Sequence, residues 1–105
     1  MEAAVVMTTV SDEAEAAALA AGLLEQRLAA CVQQVPITSR YRWEGEVRAD
    51  PEILLLVKAP GDRAGAVRAH LEAAHPYRVP EVLVVAAEAS GPYLAWMTAE
   101  TRAAG

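Results

Sequence analysis

Three short apolar runs constrain the fold of this 105-residue chain more than any other feature. They cover residues 3–7, 53–57 and 82–87, and each is apolar at both odd and even positions. Runs of this length that are rich in Val and Leu predict strands rather than helices. Because successive side chains of a strand point to opposite faces, these strands need cover on both faces of their sheet.

A helix is predicted between the first run, which extends to residue 10, and the middle of the chain. Asp12, followed three positions later by Glu15, resembles a capping box and marks the helix start. The helix is expected to continue to about residue 28 and to bury one apolar stripe. The stripe predicted from spacings of three and four is Ala14, Ala17, Ala21, Leu24 and Leu28.

A long hairpin is predicted next. Residues 32–43 alternate between apolar and polar, which indicates a half-buried strand, and Pro36 marks a bulge or an edge within it. Glu44-Gly45-Glu46 is typical of a hairpin turn. The return strand is expected over residues 47–58, with an interruption near Asp50-Pro51.

The second half of the chain repeats the helix-then-strand order. A helix is predicted from Gly61-Asp62 to His75-Pro76, with Val67, Leu71 and Ala74 on its inner face. A strand follows over residues 82–87, and a last helix begins at Ser90-Gly91-Pro92. The order β-α-β-β-α-β plus a C-terminal helix predicts an α+β, ferredoxin-like sandwich with an antiparallel sheet, formed by a single domain over residues 1–105.

Charge and cysteine content narrow the possible partners. The chain has 14 acidic and 9 basic residues, so its formal net charge is −5. This balance argues against nucleic acid and against an anionic membrane surface as partners. The single cysteine excludes an intramolecular disulfide, and no apolar stretch is long enough to cross a bilayer. A cytoplasmic location is therefore expected.

The apolar strands also predict self-association. Two helices cover one face of a ferredoxin-like sheet, and a short third helix covers only part of the other. Leaving about three extra Val or Leu side chains in water would forgo roughly 5–9 kcal/mol. Another copy of the chain is the simplest cover for this surface.

Candidate chemical groups are few. Cys31 is either a soft metal ligand or reactive thiol, or a small buried apolar residue. His75 is either a metal ligand or base, or an imidazole that fixes the end of its helix. His70 lies five positions earlier and does not share a helix face with His75. No arrangement of nucleophile, base and orienting group is visible, so catalysis is not expected.

Three further residues have alternative interpretations. Tyr41 and Trp43 share one strand face, where they can stack on a ligand or pack at an interface, and Trp43 is expected mainly to hold subunits together. Lys58 ends a buried strand, where it can bind an anion or pair with a carboxylate such as Glu81.

Several motifs follow one another along the chain with specific spacing. They are Arg27-Leu28-Ala29-Ala30-Cys31-Val32, Tyr41-Arg42-Trp43-Glu44-Gly45-Glu46, Leu54-Leu55-Leu56-Val57-Lys58, His75-Pro76-Tyr77-x-Val79-Pro80-Glu81 and Tyr93-Leu94-x-Trp96. Together they resemble the CutA divalent-cation-tolerance family over nearly the whole chain. The resemblance implies a ferredoxin-like fold and a homotrimer similar in architecture to the PII signalling proteins. It also implies a role in the response to metal ions such as copper.

The resemblance also implies a site. The residues that fall on family motif positions, and that are expected to gather near the cleft between subunits, are Cys31, Tyr41, Trp43, Lys58, His75, Tyr77 and Glu81. No cofactor is required. Cu²⁺ or another divalent cation is expected to bind, with His75 and Cys31 as ligands. The binding is expected to be weak because Thr8 and Ala74 stand where some family members have Cys and His, so the site lacks these two ligands. The alternative is a PII-like signalling or structural trimer without a physiological metal site, which binds a small anionic ligand or none.

Overall fold

A computed structural model describes residues 1–102. In this part of the chain, the strands form one four-stranded antiparallel sheet in the order β2-β3-β1-β4. The strands are β1 (Ala3–Val10), β2 (Cys31–Trp43), β3 (Glu46–Pro60) and β4 (Leu83–Ala87). The helices are α1 (Glu13–Glu25), α2 (Ala64–Ala74), which a single 3₁₀ turn (Gly61–Arg63) precedes, and α3 (Gly91–Glu100). This order and connectivity confirm the predicted ferredoxin-like α+β fold with a C-terminal helix.

The start of α1 follows from its capping residues. The Asp12 carboxylate accepts the backbone N–H of Glu15 at 2.8 Å, as predicted. The Glu15 carboxylate in turn accepts the backbone N–H of Ser11 at 3.2 Å, one residue earlier than in a standard capping box. Two of the unpaired N–H groups at the helix entrance are thereby satisfied.

The end of α1 comes three residues before the predicted position. Arg27 takes the left-handed conformation, with φ 55°, and ends the helix after Glu25. The N–H of Leu28 then bonds back to the carbonyl of Leu23 at 3.0 Å. This is the usual geometry of a helix C-terminus, although glycine is the residue most often found at the left-handed position.

The predicted apolar stripe of α1 was wrong. The buried residues of this helix are Ala16, Leu19, Ala20 and Leu23, whereas Leu24 is 43% exposed. Alanine occurs on every side of α1, so the two leucines that reach the sheet decide which side faces it. Ala74 of α2 is also exposed, while Val67 and Leu71 are buried as predicted.

The two faces of the sheet are covered differently. The face under α1 and α2 carries Val6, Leu55 and Val57, all fully buried in the main core cluster. We call the opposite side the second face; its central positions are the half-buried Val5, Met7, Leu54 and Leu56. The helix α3 packs against β3 and contributes the buried Met97, which lies outside the main cluster.

The hairpin of β2 and β3 extends beyond the rest of the sheet. β1 pairs with β3 only from Ile53 to Pro60, so residues 37–52 form a two-stranded projection that we call the hairpin arm. The described chain measures 49 × 24 × 21 Å, and its radius of gyration is 14.4 Å. A compact chain of this length would have a value of about 13 Å. The arm therefore has a large surface that its own domain covers only in part.

Two prolines and a turn show how the arm is built. The turn has two residues, Glu44 and Gly45, with φ of 51° and 81°, as in the type I′ turns that suit twisted hairpins. The predicted interruption near Pro51 was wrong, because β3 runs through it without a break. Pro36 lies in an unbroken register, so it marks an edge rather than a bulge. Edge positions tolerate proline because one side of the strand has no ladder bonds to lose.

Candidate ligand site

His75 fixes the loop that follows α2. Its Nδ1 accepts the backbone N–H of Tyr77 at 3.0 Å. Nδ1 is therefore unprotonated, so Nε2 carries the hydrogen and donates it to the carbonyl of Thr9 at 2.9 Å. Both ring nitrogens of this half-buried residue are engaged, and a metal ion could bind His75 only by displacing one of these hydrogen bonds.

Tyr77 links the same loop to the sheet. Its hydroxyl donates to the Glu52 carboxylate at 2.7 Å and lies 3.1 Å from the hydroxyl of Ser11. The Tyr77 ring also packs against His75, with 4.8 Å between centroids. Burial and the Glu52 carboxylate raise the pKa of Tyr77 to about 12, against the opposing effect of the Ser11 hydrogen bond. The tyrosine therefore acts as a neutral hydrogen-bond donor.

The loop continues along the hairpin arm. The guanidinium of Arg78 lies 5.5 Å from the centre of the Trp43 ring, in a cation–π arrangement. Nearer the base of the arm than Trp43, the Tyr41 hydroxyl donates to Asp50, and this hydrogen bond is the main reason that the pKa of Tyr41 is raised. Trp43 thus has a partner within its own chain. Sequence reasoning missed Arg78, because the motif spacing does not show which strand the loop meets.

A second group of predicted residues lies at the other end of the sheet. Cys31 is paired with Lys58, which in turn is paired with Val5, so the three side chains form one row across the second face. Cys31 and Lys58 are both half-buried. Burial raises the pKa of Tyr93, in the first turn of α3, and the Cys31 thiol adds to this effect.

Of the two roles considered for Lys58, pairing with Glu81 does not occur within the protomer. Lys58 forms no salt bridge with any of residues 1–102, and Glu81 is exposed before β4. The register aligns Lys58 with Val85, four positions further along than Glu81. Four strand positions correspond to about 13 Å, which is too far for an ion pair.

One chain does not bring the two predicted metal ligands together. His75 contacts Thr9, and Cys31 lies in the row of Val5, four positions away along β1. The two positions are thus about 13 Å apart along the strand direction. Within residues 1–102, no three His, Cys, Asp or Glu side chains are grouped so that they could hold a metal ion.

The predicted residues do not line the open groove on the helical side of the protomer. This groove, of about 390 Å³, lies between α1 and α2, and its lining residues are Glu15, Ala18, Leu19, Gly22, His70, Ala74 and Pro76. None of the seven residues predicted for the site is among them. The chemistry expected from the motifs therefore lies on the sheet and its hairpin arm rather than between the helices.

An apolar surface adjoins the predicted residues. Leu83, Val84 and Val85 of the edge strand β4 are exposed, with Leu83 at 53%. On α3, the rings of Tyr93 and Trp96 are also exposed and lie 5.5 Å apart. The expectation that one chain leaves apolar strand surface uncovered is confirmed. An unpaired edge strand of this composition is typical of an association surface.

The strand order, the long hairpin arm and the helix against β3 define a ferredoxin-like α+β protein with a C-terminal helix. The chain belongs to the family described as "CutA1 divalent ion tolerance protein", whose sequence model matches residues 4–100. It is 46% identical over 99 residues to the divalent-cation tolerance protein CutA of Thermus thermophilus, covering 92% of this chain and 96% of that protein.

Solved structures of family members have the same fold. CutA1 from Oryza sativa superposes with a TM-score of 0.90 at 37% identity, over 99% of this chain and 97% of that one. The periplasmic divalent cation tolerance protein CutA from Archaeoglobus fulgidus gives 0.91 at 31% identity, over 95% and 99% of the two chains. No helix within residues 1–102 is long and apolar enough to span a membrane.

Proposed function

We propose that this protein acts in the tolerance of divalent cations such as copper as a homotrimer whose ligand site is completed between subunits. The observation that carries the proposal is the incomplete site beside an uncovered apolar surface. One chain separates the His75 and Cys31 ends of the sheet, and leaves β4 and much of the hairpin arm exposed. A neighbouring subunit that covers this surface would also bring further side chains to the His75 end and the Cys31 end of the sheet.

Copper binding in this proposal is weak and is centred on His75. Imidazole nitrogen is a good ligand for Cu²⁺, and the thiolate of Cys31 suits Cu⁺ better. Binding at His75 must replace either the Tyr77 N–H or the Thr9 carbonyl as a hydrogen-bond partner. That replacement lowers the affinity, so Cys31 and His75 are proposed as contributing ligands and not as a preformed centre.

A small anionic ligand is the second candidate, and Lys58 favours it. A half-buried ammonium group without a salt bridge to residues 1–102 can attract a carboxylate or phosphate. In this alternative, the trimer is a PII-like signalling or structural module, and no metal site or cofactor is needed. Tyr41, Trp43, Tyr77 and Glu81 would then belong to the cleft that surrounds the ligand.

We infer that the role is binding rather than catalysis, since the thiol of Cys31 and the imidazole of His75 lie at opposite ends of one sheet. We propose a cytoplasmic location because the sequence has a single cysteine and so no intramolecular disulfide. The A. fulgidus relative is described as periplasmic, so fractionation of expressing cells is the direct test.

Light scattering coupled to size exclusion tests the trimer. The expected mass is about three times the 11.1 kDa of one chain, and a monomer at micromolar concentration would contradict the proposal. Calorimetric titration with Cu²⁺ tests the metal site. His75→Ala should weaken binding, whereas His70→Ala, which removes the other imidazole, should not. Equal affinities for the wild type and His75→Ala would remove His75 from the site.

A thermal-shift screen with carboxylates and nucleotides tests the second candidate. A ligand of the folded protein raises the melting temperature by mass action. A shift that Lys58→Ala abolishes and Arg68→Ala preserves would favour the anion site. Arg68 is a suitable control because it forms an exposed pair with Glu72 on α2, far from the second face.

A further inference from the structure

One row of side chains from α1 borders the groove between α1 and α2. Glu15, Ala18, Gly22 and Glu25 follow one another at spacings of three, four and three positions, so they lie along one side of the helix. The first three line the groove of about 390 Å³, and α2 with the residues after it forms the opposite wall. The middle of this row is small and apolar, and each end carries a carboxylate.

The groove is shaped by the packing of the two helices. A Cβ atom at Gly22 would lie 3.1 Å from Nε2 of His70, closer than most Cβ contacts, so glycine lets the imidazole approach α1. Glycine is otherwise unfavourable within a helix. Ala18 and Ala74 on the two walls are exposed, and neither has a side chain long enough to fill the space between them. The groove therefore stays open along the helices.

Glu25 has a charge that its own helix disfavours. It is the last residue of α1, and this helix has no basic residue in its last turn. Because the C-terminal end of a helix is its negative end, an acidic side chain there is unfavourable. Glu25 forms no salt bridge with residues 1–102, and Arg27, the nearest arginine in sequence, contacts Glu100 instead. The stability of α1 thus does not account for this carboxylate.

The other end of the row is acidic as well. The Glu15 carboxylate accepts the backbone N–H of Ser11, but no cationic side chain among residues 1–102 forms a salt bridge with it. Glu15 and Glu25 are ten positions apart, which corresponds to about 15 Å along a helix. Two negative charges at this separation therefore mark the two ends of the apolar part of the row.

We propose that the groove between α1 and α2 binds a basic amphipathic helix of a partner protein. Two Lys or Arg side chains ten positions apart on that helix would face Glu15 and Glu25, and apolar side chains between them would cover Ala18 and the groove floor. Docking of an amphipathic helix into a groove is a common mode of recognition. An open groove fits such an elongated segment better than a small molecule, which binding sites usually enclose.

The inference is independent of the subunit contact proposed above. The groove lies on the helical side of the sheet, and the second face lies on the opposite side. A neighbouring subunit on the second face does not cover it. The groove residues also include neither Cys31 nor His75, so the inference does not depend on metal binding.

A designed peptide serves as the probe. It is a helical peptide of Ala, Leu and Lys, with two lysines ten positions apart and two leucines between them on the same face, and it is titrated into the complete ¹⁵N-labelled protein. It should bind at least fivefold more tightly than a scrambled peptide of the same composition, and should shift the amide signals of residues 15–25 and 70–76. Equal affinities of the two peptides would overturn the proposal, since net charge alone would then explain the binding.

Variants of the row test the site itself. Ala18→Arg should weaken binding by about tenfold, because it places a bulky cation in the groove. Ala17→Arg adds the same charge at an exposed position of α1 outside the groove and should have little effect. Glu25→Gln should weaken binding by up to about fivefold, the upper range for one exposed ion pair, whereas Glu44→Gln at the arm turn should not. Equal effects of the two arginine variants would overturn the proposal.

Light scattering distinguishes a partner helix from a second copy of the chain. If the groove joined copies to one another, the wild type would have a larger mass than Ala18→Arg, and this result would overturn the proposal in favour of self-association. Equal masses, with the ordered peptide preferred, support it. The mass of the wild type alone tests the trimer, so a failure of that proposal is distinguishable from a failure of this one.

Discussion

The two faces of the sheet contrast within single strands. Along β3, Leu55 and Val57 point towards α1 and α2 and are fully buried, whereas Leu54 and Leu56 point to the second face and are half-buried. Along β1 and β3 the first face is closed by its own chain, and it holds no chemical group from the predicted site. The second face is left partly open, and Cys31 and Lys58 lie on it. One face therefore closes the core of the protomer, whereas the other leaves apolar side chains and the predicted site residues partly uncovered.

The neighbouring residues Leu55 and Leu56 give the most direct test of this contrast. Leu55→Ala should lower the free energy of unfolding by about 3–5 kcal/mol, because it leaves a cavity in a fully packed core. Leu56→Ala should lower the free energy of unfolding by less than this at low protein concentration, and by more at concentrations where the proposed oligomer forms. Urea denaturation at several protein concentrations measures both effects. Equal costs that do not change with concentration would show that the two faces are equivalent.

A charged substitution on the edge strand β4 should weaken subunit association much more than the same substitution on the outer side of α1. Leu83→Asp places a carboxylate on the exposed apolar edge, and the proposed oligomer should dissociate towards the 11.1 kDa chain. Leu24→Asp is the matched control, since Leu24 is similarly exposed but lies on α1. Light scattering compares the two variants. Dissociation by Leu24→Asp and not by Leu83→Asp would move the association surface to the helices.

Trp43, near the turn of the hairpin arm, tests whether the arm takes part in subunit association or only packs against the loop after α2 in its own chain. Trp43→Ala should destabilise the proposed oligomer by about 2 kcal/mol, as the loss of an interface tryptophan commonly does. Arg78→Ala removes the cation–π partner but keeps the ring, and should have a smaller effect. Melting curves at several dilutions separate the two variants. Identical behaviour would mean that Trp43 mainly anchors the loop of its own chain.

Local signals in the sequence predicted the elements well, and contacts between elements less well. Asp12 and Ser90 cap their helices, and Gly45 forms its turn, because each acts on residues at most three positions away. The buried side of α1 was missed because alanine on all sides of the helix leaves no distinct stripe. The left-handed Arg27 was missed for a different reason: its guanidinium contacts Glu100, and no spacing rule connects these positions.

In the candidate site, too, contacts between residues distant in sequence could not be predicted. The motif around His75 was correctly expected to end α2, and the imidazole does fix the following loop. Its contact with the Thr9 carbonyl joins residues 66 positions apart, and only the assembled sheet reveals it. Lys58 and Glu81 form no ion pair within residues 1–102, since motif resemblance supplies residue identities without distances. A gathering between subunits stays a prediction.

The smallest expected effect concerns Tyr77, in the loop after α2, at the end of the sheet away from Cys31. The pKa of Tyr77 rises from 10.0 to about 12 in the folded protein, so the folded state retains a proton that the unfolded chain loses. The contribution of Tyr77 to the free energy of unfolding is fully present below pH 10 and is lost as the pH rises towards 12.

Tyr77→Phe should therefore lower the melting temperature modestly at pH 7, by removing the hydrogen bonds to Glu52 and Ser11, which together are worth about 1 kcal/mol. It should also flatten the decline in melting temperature between pH 10 and 12. Because Tyr41 and Tyr93 titrate in both proteins, the difference between the two curves isolates Tyr77; parallel curves would mean that this hydroxyl does not anchor the loop.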